Sequence, residues 1–283
     1  MTDSSHIIVT PGDLITTEED YLRGHGTNLK DNHLTAALTG VVQRLNKLIS
    51  VQPYKSRYRG DVGDIVVGRV VEVANRRWKV DVGARQHAVL MLSAINLPSS
   101  EVRRRSALDE LNMRKFYTEG NLITAEVQQI FHDGSLALHA RRRYGKLDNG
   151  VFCKVHPSLI KRSPIQLITF EELSLEVVLG RNGFVWIGPL ITEEQKNSAL
   201  QGVGFAGRGH YHFYGFALEV EQTPALLRNM AYIRNVLSAL DKEFITVSED
   251  NIRKGVNLAL ELGFEPKDLL ELNVYRQITT QLS

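Results

Sequence analysis

GDVGDIVVGRVVEVANRRWKVDVG, residues 60–83, is the stretch whose reading decides the fold. Ile65, Val67, Val71 and Val73 alternate along one run, and Trp78, Val80 and Val82 along the next. Arg77, Lys79 and Asp81 fall on the opposite side. A period of two places apolar groups on one face of a strand and polar groups on the other, so this is a pair of half-buried strands. Gly63 and Gly68 stand where a barrel strand starts or coils, and Asn75-Arg76 supplies the turn between the runs.

Working outward, residues 88–92 read as a short third strand and 121–131 as a fourth, in which Ile123, Ala125 and Val127 share a face. Asp133-Gly134 turns the chain into a fifth strand that buries Leu136 and Leu138 and exposes His139 and Arg141. Five strands with one long polar connection before the fourth form the OB arrangement, here of the S1 type. Exposed strands and loops of such barrels bind single-stranded oligonucleotides.

Charge supports the same function. The chain has 283 residues and a net charge of +2, yet 17 Lys and Arg stand against 10 Asp and Glu between Tyr54 and Lys146. The barrel therefore carries the positive field, the footprint expected of phosphate binding. Three basic clusters are candidates. Arg76, Arg77 and Lys79 flank Trp78; Arg103, Arg104 and Arg105 lie in the polar connection 99–118; Arg141 to Arg143 close the fifth strand. The arginine fork bonds phosphate bidentately and stacks on bases. Trp78 reads as a core residue, and two readings stay open for Arg141 to Arg143: RNA contact or docking of the next domain.

Other chemistry is less evident. The single cysteine, Cys153, excludes an internal disulfide framework and a cysteine-based zinc ribbon, and its apolar neighbours make it a core residue. No apolar run reaches membrane-spanning length. The N-terminus has neither a basic start nor an apolar h-region, so no secretion or transit signal is expected. His25 reads as a turn residue, and Asp61 and Asp64 as loop aspartates at the start of a strand rather than magnesium ligands. A ribonuclease needs clustered carboxylates for metal ions, or converging acid–base groups, and neither is visible from spacing. No cofactor is expected.

Before the barrel, residues 7–15 and 40–49 read as strands separated by the glycine-rich turn RGHGT at 23–27. After it come a strand at 150–156 and a hairpin, EVVLG and FVWIG, joined by Gly180-Arg181-Asn182-Gly183. A GxxG loop joins two helices in KH domains and clamps a nucleic-acid backbone. Here it joins two strands and Asn-Gly is itself a hairpin signal, so a mainly structural turn is favoured over an RNA clamp. Segment 192–210 reads as an exposed loop. Helices follow near 224–241, 248–262 and 266–282, the first opened by Thr223-Pro224.

VTPGD at 9–13, RGHGT at 23–27, GDVGDIVVGRV at 60–70, RWKVD at 77–81, RRRSALDELNMR at 103–114, EGNLITAEVQ at 119–128, YGKL at 144–147 and GRNGFVWI at 180–187 occur in order. This set resembles the RNA exosome cap-subunit family of ribosomal RNA-processing protein 4, closely over residues 7–190 and loosely beyond. The resemblance implies a multidomain, β-rich chain with an α+β C-terminal part: an N-terminal β domain at 1–53, an S1-type OB barrel at 54–143, and a KH-type domain with C-terminal helices at 144–283. It implies a non-catalytic subunit that sits on a ring of RNase PH-like proteins beside other S1-containing cap subunits. Single-stranded RNA would pass from it to an associated 3′-to-5′ nuclease in the nucleus, nucleolus and cytoplasm. A stand-alone S1/KH protein of translation or transcription fits the barrel and its charge equally well. Paralogous cap subunits are disfavoured by RGHGT and the RRRS loop.

Overall fold

The structure, a computed structural model, describes residues 7–17, 20–53, 55–95, 107–140, 145–161, 163, 166–190 and 223–282. The chain divides into two compact units, Met1–Ser56 and Arg57–Ser283.

The first unit holds seven short strands: β1 (Ile8–Val9), β2 (Leu14–Thr16), β3 (Leu22–Arg23), β4 (Thr27–Lys30), β5 (His33–Ala36), β6 (Gly40–Leu45) and β7 (Leu48–Pro53). They form two sheets, β1-β6-β7-β3 and β2-β5-β4. Val9, Ala36 and Val51 are its buried centre. The two strands expected at 7–15 and 40–49 are each cut in two. Pro11-Gly12 breaks the first, where Gly12 takes φ +98° and the Asp13 carboxylate accepts from Thr10 N at 2.7 Å. Asn46, at φ +54°, breaks the second. Left-handed backbone is cheap for glycine and asparagine, so local turn chemistry overrides the strand pattern. In RGHGT, His25 is an exposed turn residue whose carbonyl accepts from Val51 N at 2.8 Å.

In the second unit, β8 (Ile65–Ala74), β9 (Arg77–Asp81), β10 (Ala88–Ile95), β11 (Leu122–Ile130) and β12 (Leu136–Ala140) form a five-stranded barrel. The order is β12-β10-β9-β8-β11, and pairing of β12 with β11 closes it. β10 and β12 run parallel and every other pair is antiparallel. β13 (Lys146–Leu147) extends β11. Val66, Val70, Trp78, Val80, Leu90, Ile123, Leu136 and Leu138 fill the interior.

The phase expected along β8 is corrected by one residue. Val66 and Val70 point inward, Val67 is buried on the outer side, and Val71 is 45% exposed. The pairing of β8 with β9 shifts register between Val70 and Glu72, a bulge that returns half-buried Val73 to the core side. Trp78 is fully buried and donates its indole N–H to Tyr117 O at 3.0 Å, with the two rings edge to face. This bond ties the end of the long connection, which carries α1 (Ala107–Leu111) and α2 (Met113–Phe116), to the barrel core.

Beyond the barrel lie β14 (Val151–Lys154), β15 (Leu167–Phe170), β16 (Leu175–Leu179) and β17 (Phe184–Pro189), an antiparallel sheet ordered β14-β17-β16-β15. Leu175, Val177 and Ile187 face Met230, Ile233 and Leu237 of α3 (Pro224–Lys242). Val178, Phe184 and Trp186 face Val67 and Leu147 on the barrel side. Every residue of β16 and β17 is buried. Covering on both faces is why these strands read as continuous apolar runs without alternation.

α3 starts at Thr223, whose hydroxyl accepts from Leu226 N, and α4 (Glu249–Glu261) starts at Ser248 in the same way. The last helix, α5 (Leu272–Thr280), begins six residues later than the period indicates. There the Asp268 carboxylate accepts from Glu265 N at 2.9 Å and residues 268–270 form a 3-10 turn, local bonding that competes with the helix.

Candidate nucleic-acid interface

β9 and β10 pair so that Lys79 stands opposite Val89 and Arg77 opposite Met91, all on the outward side of the barrel. Gln86 and His87 come from the connection between these strands, and Phe131 to Asp133 with Ser135 from the turn joining β11 to β12. Together they line an open groove of about 820 Å³. Strand faces and the loop between the last two strands are where OB barrels take oligonucleotides.

The turn is held from within. Phe131 N donates to Ser135 O and Gly134 N to Phe131 O, both at 2.9 Å. Asp133 accepts from the Ser135 hydroxyl at 2.7 Å and from Ser135 N at 2.9 Å. Those bonds, the hydroxyl first, keep its carboxyl below the usual carboxylate range. Gln86 Nε2 donates to Asp133 O at 3.2 Å and ties the turn to the strand connection. Phe131 and Met91 are left 41% and 44% exposed. Cationic ends beside open apolar groups suit a single strand, whose phosphates need charge and whose bases need a surface to stack on.

Arg76, in left-handed backbone at the β8–β9 turn, pairs with Glu110 at 2.7 Å, and Lys79 pairs with Glu72 at 2.8 Å. Pairs this exposed are worth about 0.2–1 kcal/mol, so phosphate can displace them at little cost. His139 is half-buried, 3.6 Å from Glu126 on the neighbouring strand, and does not line the groove. Arg103, Arg104, Arg105, Arg141 and segment 192–210 lie outside the described residues. The sequence reading passed over Met91, Phe131, Gln86, His87 and His132. The signal for Met91 was present: Val89 and Met91 alternate against Ala88, Leu90 and Leu92, on the face shared with Arg77 and Lys79.

Gly180, Arg181, Asn182 and Gly183 lie elsewhere, between the hairpin and the barrel. Asn182 is 2% exposed. Its Nδ2 donates to Val67 O at 2.7 Å and Val82 O at 2.9 Å, and its Oδ1 accepts from Val67 N at 3.3 Å. The side chain thus joins β8, the end of β9 and the hairpin. Gly183 adopts φ +83°, and a Cβ there would strike the Val155 carbonyl oxygen. A Cβ on Gly180 would stand 2.8 Å from Val67 N. Arg181 donates its amide to Ile65 O at 2.9 Å and Nη1 to Ile160 O. Its Nε lies 3.8 Å from Asp64, which accepts from Tyr58 OH at 2.8 Å and from Asp61 N at 3.1 Å. Burial, followed by that bond to Asp64, pushes the Tyr58 hydroxyl well above its usual range. Among the described residues no three His, Cys, Asp or Glu side chains are grouped to hold a metal ion.

Three family descriptions match the chain. They are "RRP4, S1 domain" over residues 57–129, "Exosome complex exonuclease RRP4 N-terminal region" over 8–45, and "KH domain" over 150–192. Exosome complex component RRP4 of Mus musculus is 51% identical over 203 residues, covering 71% of this chain and 68% of that protein. The Saccharomyces cerevisiae protein of the same name is 50% identical over 186 residues, 65% of this chain and 52% of its own length. The RRP4 homolog of Arabidopsis thaliana is 38% identical over 272 residues, 93% of this chain and 82% of that protein.

Proposed function

Because this chain belongs to the exosome complex component RRP4 family, we propose that it is a non-catalytic RNA-binding cap subunit of an RNA exosome. In this reading it stabilises a ring of RNase PH-like subunits, alongside other S1-containing cap subunits. It guides single-stranded RNA into the central channel for 3′-to-5′ processing and degradation by an associated nuclease, in the nucleus, nucleolus and cytoplasm. The three domains divide at 53/54 and 143/144, and Arg103 to Arg105, with Arg141, add to the basic surface of the barrel.

The observation that carries this reading is the open groove on β9 and β10, where Arg77 and Lys79 stand beside exposed Met91 and Phe131. Four carboxylates around the barrel each have a separate partner: Glu72 with Lys79, Glu110 with Arg76, Glu119 with Arg114 and Asp133 with Ser135. Such an arrangement supports phosphate contact rather than hydrolysis, and the word exonuclease in one family description is taken to name the complex. In the first unit, Leu22 and Leu45 are 63% and 73% exposed and support a docking role for that unit.

The test uses the full chain. Purified protein should bind a labelled single-stranded RNA without shortening it, with or without magnesium or phosphate. It should also copurify with RNase PH-like proteins from the native source. Nuclease turnover that follows the protein through successive columns would overturn the non-catalytic assignment. Copurification with ribosomes or polymerase alone would favour the stand-alone reading.

A further inference from the structure

The outward row that begins at Arg77 and Lys79 continues along β9 to Asp81, which pairs across the strands with Arg69 of β8. The four steps along the strand from Arg77 to Asp81 span about 13 Å at ~3.3 Å each. Asp81 turns its carboxylate to the strand end, accepting from Gly83 N at 2.9 Å. Arg69 instead reaches across the seam and places its guanidinium carbon 5.5 Å from the centre of the Phe152 ring on β14. From β14 itself, Lys154 sets its ammonium 5.9 Å from the same ring and 4.7 Å from the Phe184 ring. Arg69 and Lys154 are both exposed. Two cations thus converge over one ring at the end of the row that starts in the groove, with no described carboxylate within ion-pair distance of either.

We propose that Arg69 and Lys154 form a second phosphate-contact point, at the seam between the barrel and the β14–β17 sheet, that receives single-stranded RNA leaving the Arg77–Lys79 groove. It rests on the RNA-binding reading and extends it. A cation stacked on an aromatic face keeps its outward N–H groups free for an anion, and the ring limits the side-chain motion that binding would otherwise have to freeze. Phosphate contacts position a strand without reading its sequence, so this point favours no particular base.

The experiment is a salt titration of binding, using the full chain and a fluorescein-labelled uridine oligomer of about 16 nucleotides. For single strands, log affinity against log salt falls by about 0.7 per phosphate neutralised. Arg69→Gln/Lys154→Gln should therefore flatten the slope by about 1.4, so that the affinity lost between about 50 and 200 mM salt shrinks roughly sevenfold. Arg69→Lys/Lys154→Arg, which keeps both charges, should restore the slope. An oligomer of about four nucleotides, short enough to sit in the groove alone, should not sense the Gln variant.

Arg77→Gln/Lys79→Gln is the reference. If it flattens the slope and the seam variant, folded by thermal melt, does not, the seam inference fails and the groove reading stands. If neither variant changes the slope, RNA binding by this face of the barrel fails with it. An unchanged slope with weakened ring association would make the seam a protein contact and overturn the proposal. Should the double variant not fold, Lys154→Gln alone carries the test, with an expected flattening of about 0.7.

Discussion

Asn182 shows how one side chain can serve as a joint. It satisfies two carbonyls and one amide on β8 and the end of β9, and it is almost wholly buried. Asn182→Ala leaves those backbone groups without partners, at about 1–3 kcal/mol for each group left unsatisfied, so a loss of about 3 kcal/mol is expected. A fall in the urea midpoint measures it. Asn182→Asp should be at least as harmful, because a carboxylate cannot donate to the carbonyls of Val67 and Val82. Cys153 behaves differently. Burial pushes its thiol from the ordinary 9.0 up to about 12, with Arg234 opposing and Asp241 reinforcing the shift. The unfolded chain then ionises first, so this group leaves stability untouched below pH 9 and subtracts from it as pH rises from 9 toward 12. Cys153 is half-buried rather than a core residue, and its raised thiol leaves little thiolate at pH 8, so iodoacetamide at pH 8 should label it more slowly in the folded chain than in urea, and Cys153→Ala should flatten the decline of melting temperature above pH 9.

At the scale of elements, the β11–β12 turn is the part whose role the barrel pattern does not reveal. Its backbone bonds hold Phe131 at the rim with much of the ring in solvent. One base stacked on an aromatic ring is worth about 1–3 kcal/mol, so Phe131→Ala should weaken single-stranded RNA binding by roughly 5- to 150-fold. Melting should change little, since an exposed side chain contributes within about 0.5 kcal/mol. Fluorescence anisotropy against several sequences tests both the loss and its indifference to base identity. The β16–β17 turn works in the opposite direction. Asn182 bonds to Val67 and Val82 and Arg181 to Ile65 and Ile160, while the turn's two glycines are set by a close approach to β8 and by left-handed backbone beside Val155. Four residues spaced like a motif that clamps RNA between helices elsewhere here join a hairpin to a barrel.

Across the whole molecule, the barrel and the β14–β17 sheet share Val67, Leu147, Val178, Phe184 and Trp186 as one apolar cluster. Residues 57–283 should therefore unfold in a single transition, with calorimetric and van't Hoff enthalpies agreeing. A fragment limited to 57–143 uncovers Val67 and Leu122, and should melt earlier and self-associate, as measured by calorimetry and light scattering. Two separate transitions in the 57–283 fragment would show that the seam does not couple its two sides.

Period-two alternation, turn residues and the clustering of Arg and Lys are local properties, and from the sequence alone they determined five strands of an OB-type barrel and the outward side of Arg77 and Lys79; the order in which the strands pair is a tertiary fact. Helix starts at Thr223 and Ser248 were legible for the same reason, since capping is decided within four residues. The phase of β8 was not, because Val67 is apolar for a second surface that only the folded hairpin brings against it. Nor could the groove be read in full: Phe131 lies 40 residues from Met91 in sequence, and closure of β12 onto β11 sets the turn beside β10. What Gly180 to Gly183 touch was likewise decided by tertiary structure. Spacing gives the same four letters to a clamp and to a joint, and the hydrogen bonds across more than a hundred residues, from Asn182 to Val67, exist only once the barrel and the hairpin have folded against each other.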